Sequence, residues 1–204
     1  MFNRSVSRAA ATATALVVGL SVGAPPALAS GHDVGKKPPG QFDYYVLSLS
    51  SAPGFCAANP KKTPAECKKG LTFALHGLWP QFEDGDYPTN CSAAKLTATD
   101  LKAAKGVFAD DSMVAHEWPK HGTCSGLQPA DYFALSSKVR TSVKVPPAYG
   151  PKTVIKLKDA KAVMAAFEAA NPGLAPGGVR TVGAKGVLTE LDICVSKTGA
   201  FRAC

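Results

Sequence analysis

The residues of this chain that can do acid–base chemistry are concentrated in two short segments. Residues 116–124 read HEWPKHGTC, and residues 73–80 read FALHGLWP. Three of the four histidines and both tryptophans of the chain fall in these segments. An imidazole accepts or donates a proton near neutral pH, so His76 and His121 can serve as general acid and general base if they flank one reacting atom.

The spacing within the longer segment favours a cluster if the segment is helical. Glu117 and His121 are then four residues apart, as are His116 and Lys120, and such pairs are neighbours on a helix surface. A solvated helix face with an ordinary ion pair is the simplest alternative, and a hydrogen-bonded structural histidine is the corresponding alternative for His76. Neither explains why each segment also carries a Trp-Pro pair and a His-Gly pair, so we interpret the two segments as a functional site.

The spacing of the histidines argues against a metal site. His-Glu-x-x-x-His is similar to the zinc motif His-Glu-x-x-His with one residue too many. On a helix with 3.6 residues per turn, the side chains of His116 and His121 diverge by roughly 140°, and Pro119 disturbs the helix further. The cysteines include no Cys-x2-Cys pair of the kind that binds zinc. We therefore expect no metal ion and no other cofactor.

The two segments resemble the two active-site segments of the ribonuclease T2 family, the acid-type endoribonucleases. Residues 76–80, HGLWP, are similar to the first of these, and residues 116–124 are similar to the second. The longer motif consists of rare residue types, and the two motifs occur in the family's order. The resemblance extends from about Phe42 to Cys204 and implies a secreted bacterial endoribonuclease that acts on single-stranded RNA.

The resemblance also implies a reaction and a role for each residue. RNA carries its own nucleophile, the 2′-OH, so a base and an acid are enough for transphosphorylation through a 2′,3′-cyclic phosphate to 3′-phosphate ends. His121 is the implied general base and His76 the general acid, with the roles reversed when water opens the cyclic phosphate. His116 is expected to bind the phosphate. Glu117 and Lys120 are expected to stabilise the transition state, and Glu117 to hold His121 in register.

Three further residues are candidates for binding a base. Trp79 offers an aromatic face on which any base can stack, although a core position is an equally good interpretation of this residue. Tyr87 is expected to close the other side of the base. In family members that prefer adenine an acidic residue often follows the Trp-Pro pair, whereas this chain has Gln81 there. We therefore expect low base specificity.

The first 29 residues have the pattern of a secretory signal peptide. Arg4 and Arg8 provide the positive region, residues 10–22 are uncharged and apolar or small, and residues 27–29 read ALA, a cleavage site before Ser30. The apolar run is too short and too rich in alanine to favour a membrane span. The mature protein is therefore expected to be secreted or periplasmic and not bound to a membrane.

Removal of the signal peptide leaves 175 residues, which suits one domain. The net charge falls from +8 to +6, because the signal carries two arginines and no acidic residue. A basic exported protein suits a polyanion such as RNA, although basicity also aids solubility or adhesion. We expect a flexible lead-in at residues 30–40, rich in Gly, Pro and Lys, a single catalytic domain at 41–204, and a monomer.

Six cysteines behind a signal peptide predict disulfides rather than thiol chemistry. Sequence alone leaves 15 pairings open. The family resemblance implies Cys91–Cys124 and Cys194–Cys204, which leaves Cys56–Cys67 as the third pair.

Periodicity and turn residues predict an α+β fold with a central antiparallel sheet and helices packed on one side. The family resemblance implies the same ribonuclease T2-like architecture, with the disulfides joining its parts. The strand at Leu71–Leu75 should deliver His76 at its end, and a turn at Trp79-Pro80 should then expose the ring. The other predicted elements are a strand at Phe42–Ser50, helices at Lys95–Phe108 (capped by Thr97 or Thr99), at the segment after Asp111 or Ser112, at Pro129–Val143 and at Lys158–Ala170, and two strands within Val179–Val195.

Two other classes of function remain open at this point. One is a metal-dependent exported hydrolase, whose activity would be lost in excess EDTA. The other is a catalytically silent RNA-binding or toxin-like protein that kept the fold. The presence of every residue that the family's chemistry requires favours the enzyme over the silent protein.

Overall fold

A computed structural model describes residues 31–62 and 64–204 of the chain. The predicted signal peptide, Met1–Ala29, lies outside the described residues. The strands are β1 (Tyr44–Ser51), β2 (Phe73–Gln81), β3 (Val179–Ala184) and β4 (Val187–Val195), and the helices are α1 (Ala52–Ala58), α2 (Ala65–Lys68), α3 (Ala98–Ala103), α4 (Ser112–Lys120), α5 (Pro129–Ser142) and α6 (Ala160–Ala170).

The four strands form one antiparallel sheet in the order β2-β1-β4-β3. Leu47 of β1 lies opposite Leu78 of β2 and Ile193 of β4, and all three are fully buried. On this face the sheet packs against α4, α5 and α6, which contribute apolar side chains to one core. These side chains are Val114, Trp118, Tyr132, Phe133, Val163 and Phe167. The predicted α+β fold with helices on one side of the sheet is confirmed.

The opposite face of the sheet is the more polar one. Its small apolar cluster contains Tyr44, Val46 and Cys194, with Trp79 packed against them. The side chain of Ser48 is fully buried next to it on β1. Since α4, α5 and α6 pack on the other face of the sheet, this face is available, within the described chain, to form a binding cleft.

The predicted turn at Trp79-Pro80 is wrong, because β2 continues through both residues to Gln81. Pro80 lies opposite Tyr45 within the β1–β2 pairing. Proline has no N–H to donate, so it is tolerated in a sheet on an edge strand. The order of the strands places β2 at the edge of the sheet. The sequence pattern alone could not reveal that position.

The helices differ from the prediction at two places. No helix was predicted directly after the first strand, but Ala52 begins α1, with Pro53 in the first turn, where a missing N–H costs nothing. Thr97 caps α3 in a reciprocal pair with Asp100, as one of the two predicted caps. However, α3 ends at Ala103, well before Phe108, and Gly106 follows with φ of 80°.

The lead-in is not loose in its described part. The N–H of Val34 donates to the carbonyl of Tyr87 at 3.0 Å, and the N–H of Tyr87 donates to the carbonyl of His32 at 3.1 Å. The N–H of Thr89 donates to the carbonyl of Gly35 at 3.0 Å. Residues 32–35 therefore run beside residues 87–89, although the His32 side chain is 85% exposed, as expected.

The structure contains the three disulfides that the family resemblance implies. They join Cys56 to Cys67, Cys91 to Cys124 and Cys194 to Cys204. Within residues 31–62 and 64–204, no helix combines the length and the apolar character that a membrane crossing requires.

Candidate active site

A β-bulge sets the orientation of His76. Ser48 of β1 lies opposite Gly77, while the next residue, Leu49, lies opposite Leu75. His76 is therefore the extra residue, with no partner on β1. Bulges of this kind re-aim a side chain and are common next to active sites. The bulge, rather than the end of a strand, leaves the His76 side chain 39% exposed beside a buried sheet.

The end of α4 positions the second segment. The helix contains His116, Glu117 and Lys120, and His121 is its C-cap, with φ of −120° and ψ of −46°. The N–H of His121 still donates to the carbonyl of Glu117 at 2.9 Å. Glu117 faces inward and is only 1% exposed, whereas the His116 side chain is 65% exposed and Lys120 is exposed.

The turn after α4 is anchored to the loop that precedes α3. Cys124 lies in a 3₁₀ turn at Gly122–Cys124 and is joined to Cys91. The carbonyl of Lys120 accepts from the N–H of Asn90 at 3.0 Å, and the hydroxyl of Thr123 accepts from the N–H of Cys91 at 3.1 Å. These contacts hold the end of α4 against the loop that follows β2.

Trp79 contacts both imidazoles. Its ring centroid is 4.9 Å from that of His76 and 5.2 Å from that of His121, so the two imidazole rings lie within about 10 Å of each other. The ring of His121 is stacked on the indole at 30°, and the ring of His76 meets it edge-on at 77°. The two histidines are therefore brought into one site through a shared aromatic contact.

Glu117 is bound to the same indole. Its Oε2 accepts from Nε1 of Trp79 at 2.8 Å, and its Oε1 lies 4.0 Å from Nε2 of His116. Glu117 was expected to hold His121 in register, and among the described residues no hydrogen bond joins the two side chains. Glu117 instead acts on His121 through Trp79, which contacts both side chains.

His121 is held in its neutral form. Burial, together with the positive charges of Lys120, His76 and His116, lowers its pKa to about 3. The side chain is only 5% exposed. In the described part of the chain its Nδ1 is buried without a hydrogen-bond partner. A neutral imidazole keeps one nitrogen lone pair, which is what a general base requires.

His76 is shifted in the opposite direction. Burial lowers its pKa, but the hydrogen bond to Glu190 and the charges of Glu190, Glu117 and Glu66 outweigh burial, so the net pKa of His76 is raised. The pKa of Glu117 is raised by burial, and its hydrogen bond from Trp79 opposes that effect. The pKa values of His76 and His121 are therefore shifted in opposite directions, which is the usual sign of a general acid and a general base.

Two cavities open on either side of this centre. The larger has a volume of about 440 Å³, and its walls include Trp79, Gln81, Tyr87 and His121. The three side chains expected to bind a base therefore meet in one cavity. The smaller, of about 190 Å³, is bordered by His76.

Several residues of the site were not found by the sequence analysis. Glu190 contacts the His76 ring, and Arg180 and Asp192 line the larger cavity together with Gly31 of the lead-in. Burial, together with the charge of Glu190, raises the pKa of Asp192 above its usual range. These residues belong to β3, β4 and the lead-in, far along the chain from either motif. The alternation of β4 predicts which residues share a face but not what they meet.

The geometry supports proton transfer and the binding of an anion. Two imidazoles, one with a raised pKa and one with a lowered pKa, contact the same indole. Two exposed basic side chains, His116 and Lys120, lie on the same helix end. Among residues 31–62 and 64–204, no group of three or more His, Cys, Asp or Glu side chains is arranged to hold a metal ion. This arrangement suits acid–base catalysis on an anionic substrate.

Comparison with known proteins identifies the family. The model of the Ribonuclease T2 family matches residues 42–204. A ribonuclease of Aeromonas hydrophila is 35% identical over 167 residues, which cover 78% of this chain and 74% of that protein. Ribonuclease 1 of Arabidopsis thaliana is 33% identical over 120 residues, which cover 50% of this chain and 52% of that protein.

Solved structures agree in fold. Ribonuclease MC1 from the seeds of bitter gourd is 26% identical with a TM-score of 0.61, covering 80% of this chain and 94% of that chain. RNase NT in complex with 5′-AMP has a TM-score of 0.62 over 80% of this chain and 91% of that chain, and at 23% identity it supports the fold alone. The chain belongs to the ribonuclease T2 family, and the prediction of an RNA endonuclease is confirmed.

Proposed function

We propose that this protein cleaves single-stranded RNA by transphosphorylation through a 2′,3′-cyclic phosphate to 3′-phosphate ends. The observation that carries the proposal is the pair of imidazoles around Trp79, one with a lowered pKa and the other with a raised pKa. Such a pair provides a base and an acid in the same pH range. Neither group needs a metal ion for this chemistry.

In the first step, the neutral imidazole of His121 takes the proton from the 2′-OH as the bond from the 2′-oxygen to phosphorus forms. His76 gives its proton to the 5′-oxygen as the bond from phosphorus to that oxygen breaks. In the second step, His76 takes a proton from water and His121 returns one to the 2′-oxygen. His116 and Lys120 contact the phosphate and stabilise its additional negative charge. Glu117, which is buried, contributes to transition-state stabilisation through the side chains that it contacts.

The larger cavity is the proposed base site. Trp79 and Tyr87 provide aromatic surfaces, and Gln81 provides an amide where an acidic residue would otherwise select adenine. Stacking is tolerant of base identity and contributes about 1–3 kcal/mol per base. We therefore propose low base specificity, with RNA as the partner and no further cofactor.

The mature protein is proposed to be a secreted or periplasmic monomer that begins near Ser30. Three disulfides within the described chain support an oxidising compartment. The net positive charge suits a polyanionic substrate.

The reaction is tested by product analysis on purified protein with a dinucleoside monophosphate such as UpA, in excess EDTA. We expect 2′,3′-cyclic phosphate to appear first and 3′-phosphate later. His76→Ala and His121→Ala should each reduce the rate roughly 10²- to 10⁴-fold. His32→Ala is the matched control and should retain the wild-type rate, because this side chain is exposed. Cleavage that yields 5′-phosphate ends, or that EDTA abolishes, would refute the proposal.

A further inference from the structure

A carboxylate from the far end of the chain contacts the ring of His76. Oε1 of Glu190 lies 2.8 Å from Nδ1 of His76, and the two residues are 114 positions apart in sequence. The Glu190 side chain is mostly buried. None of the catalytic roles described above uses this residue.

The position of this carboxylate is fixed by the centre of the sheet. Glu190 lies on β4 opposite Ser50 of β1 and Val182 of β3. The hydroxyl of the fully buried Ser48 donates to the same oxygen that faces His76. A group held by two central strands is more exactly placed than one held by a loop.

We propose that Glu190 is a positioning residue that fixes the ring orientation and tautomer of His76 as the general acid. This role rests on the proposed transphosphorylation. The Nδ1–H of His76 donates to Glu190, which leaves Nε2 as the nitrogen that faces the substrate. After Nε2 has given its proton to the departing 5′-oxygen, Nδ1 keeps its own proton. The Nε2 lone pair is then ready to accept a proton from water in the second step.

Glu190 is distinct from the other acidic groups around His76. Glu117 of α4 and Glu66 of α2 act on the ring through their charge, and Asp192 is the neighbouring acid on β4. Glu190 alone, among the described acidic residues, accepts a hydrogen bond from the ring. Glu190→Gln keeps an acceptor and removes the charge, whereas Glu190→Ala removes both. The two variants therefore separate orientation from electrostatics.

The experiment compares two substrates that differ in their need for a general acid. UpA requires protonation of its leaving 5′-oxygen, whereas uridine 3′-(4-nitrophenyl phosphate) releases a stable phenolate. For UpA, we expect Glu190→Gln to shift the alkaline limb of the kcat/KM profile to lower pH. Glu190→Ala should lower kcat/KM for UpA roughly 10- to 100-fold, which is part of the rate enhancement that a positioned acid supplies. For the nitrophenyl ester, kcat/KM of both variants should stay close to the wild-type value.

Glu83→Gln is the matched control, because it removes the same charge from an exposed ion pair with Arg202. This variant should have the wild-type kcat/KM for both substrates and the wild-type pH profile. An equal loss of kcat/KM for both substrates in the Glu190 variants would overturn the positioning role. So would a pH profile of Glu190→Gln on UpA whose alkaline limb is not shifted. Wild-type protein that forms no 2′,3′-cyclic phosphate would instead refute the proposed function.

A second measurement covers the case in which the Glu190 variants do not fold. Nitrogen-resolved NMR of the wild-type histidines reports the protonation of each nitrogen of His76. We expect Nδ1 to remain protonated in the neutral ring and the ring to titrate above the 6.5 of a free imidazole. A neutral His76 ring that carries its proton on Nε2 would contradict the inference, whether or not the protein cleaves RNA.

Discussion

At the scale of single residues, the site depends on two histidines that are pushed to opposite protonation states. His121 is buried and surrounded by the positive charges of Lys120, His76 and His116, so its pKa is lowered to about 3. His76 faces carboxylates, and its pKa is raised despite burial. Their proposed roles as base and acid follow from their surroundings, since both side chains are the same chemical group.

The dependence of the rate on pH follows from these two shifts. A base must be unprotonated, so kcat/KM should rise as pH passes the His121 pKa of about 3. An acid must be protonated, so the rate should fall only above the raised pKa of His76. We expect a broad plateau through the acidic range, measured on a dinucleoside monophosphate. A rate that rises steadily into alkaline pH would contradict both assignments.

The indole of Trp79 should matter for stability as well as for the site. Trp79→Phe removes the N–H that donates to the buried carboxylate of Glu117. A buried acceptor left without its partner costs about 1–3 kcal/mol in the free energy of unfolding, measured by urea denaturation.

The matched comparison is the same Trp79→Phe change in a Glu117→Gln background. The loss should be smaller there, because the buried carboxylate that loses its donor is no longer present. Equal losses in the two backgrounds would show that the hydrogen bond to the Glu117 carboxylate has no special weight.

The catalytic residues could be predicted because rare residue types stand next to each other in two motifs. The contact of Glu190 with His76 could not, because it joins strands that are 114 residues apart and depends on the register of the sheet. The same holds for Arg180 and Asp192, which reach the base cavity from β3 and β4. Sequence identifies candidate chemistry, but it does not identify contacts made across a sheet.

At the scale of elements, the site depends on β2 and on the end of α4. The bulge at His76 aims one ring, and Gly77 directly after it lets the Trp79 indole reach Glu117. The bulge and the continuation of β2 past Pro80 were not predicted, since both depend on which strands pair with β2. The β3–β4 hairpin was predicted, because alternation on both sides of a glycine-containing turn is a local signal.

Gly77→Ala should disturb the site through this contact. A Cβ at residue 77 would overlap Nε1 of Trp79 and come within 2.5 Å of Oε2 of Glu117. Overpacking of this kind costs about 1–3 kcal/mol, and we expect lower activity together with a lower thermal midpoint.

Gly150→Ala is the control for the Gly77 variant. Its Cβ would have its nearest neighbour, the carbonyl oxygen of Pro147, at 3.6 Å. Little change in stability or activity is expected there. A Gly77 variant as stable and active as the Gly150 variant would show that the close approach of Trp79 to Glu117 is not needed.

At the scale of the whole molecule, one sheet separates two environments. Helices α4, α5 and α6 cover the apolar face and form the core, while the other face carries the polar side chains of the cleft. The architecture could be predicted from periodicity and from the family resemblance. The packing of residues 32–35 against residues 87–89 could not, since a Gly, Pro and Lys composition is typical of a loose segment.

The disulfides should contribute unequally to stability. Cys91–Cys124 closes a span of 33 residues and Cys194–Cys204 a span of 10. On the chain-entropy estimate, removing the first should cost about 1 kcal/mol more than removing the second. The measurement is urea denaturation of the two paired Cys→Ser variants.

Activity should distinguish the two bridges as well. Cys91–Cys124 holds the end of α4 that carries His121, so its loss should lower kcat/KM. Cys194–Cys204 ties the C-terminus and should leave the rate nearly unchanged. If the larger effect on rate came from the C-terminal bridge, the assigned role of the loop contacts around Asn90 and Cys91 would be wrong.

The most direct test is to follow the protonation of the His76 and His121 rings by NMR as the pH of the folded protein is changed. At pH 5, we expect His76 to carry a positive charge and His121 to be neutral, with His121 accepting a proton only near pH 3. Two rings that titrate together near the 6.5 of a free imidazole, or a charged His121 beside a neutral His76, would contradict the account.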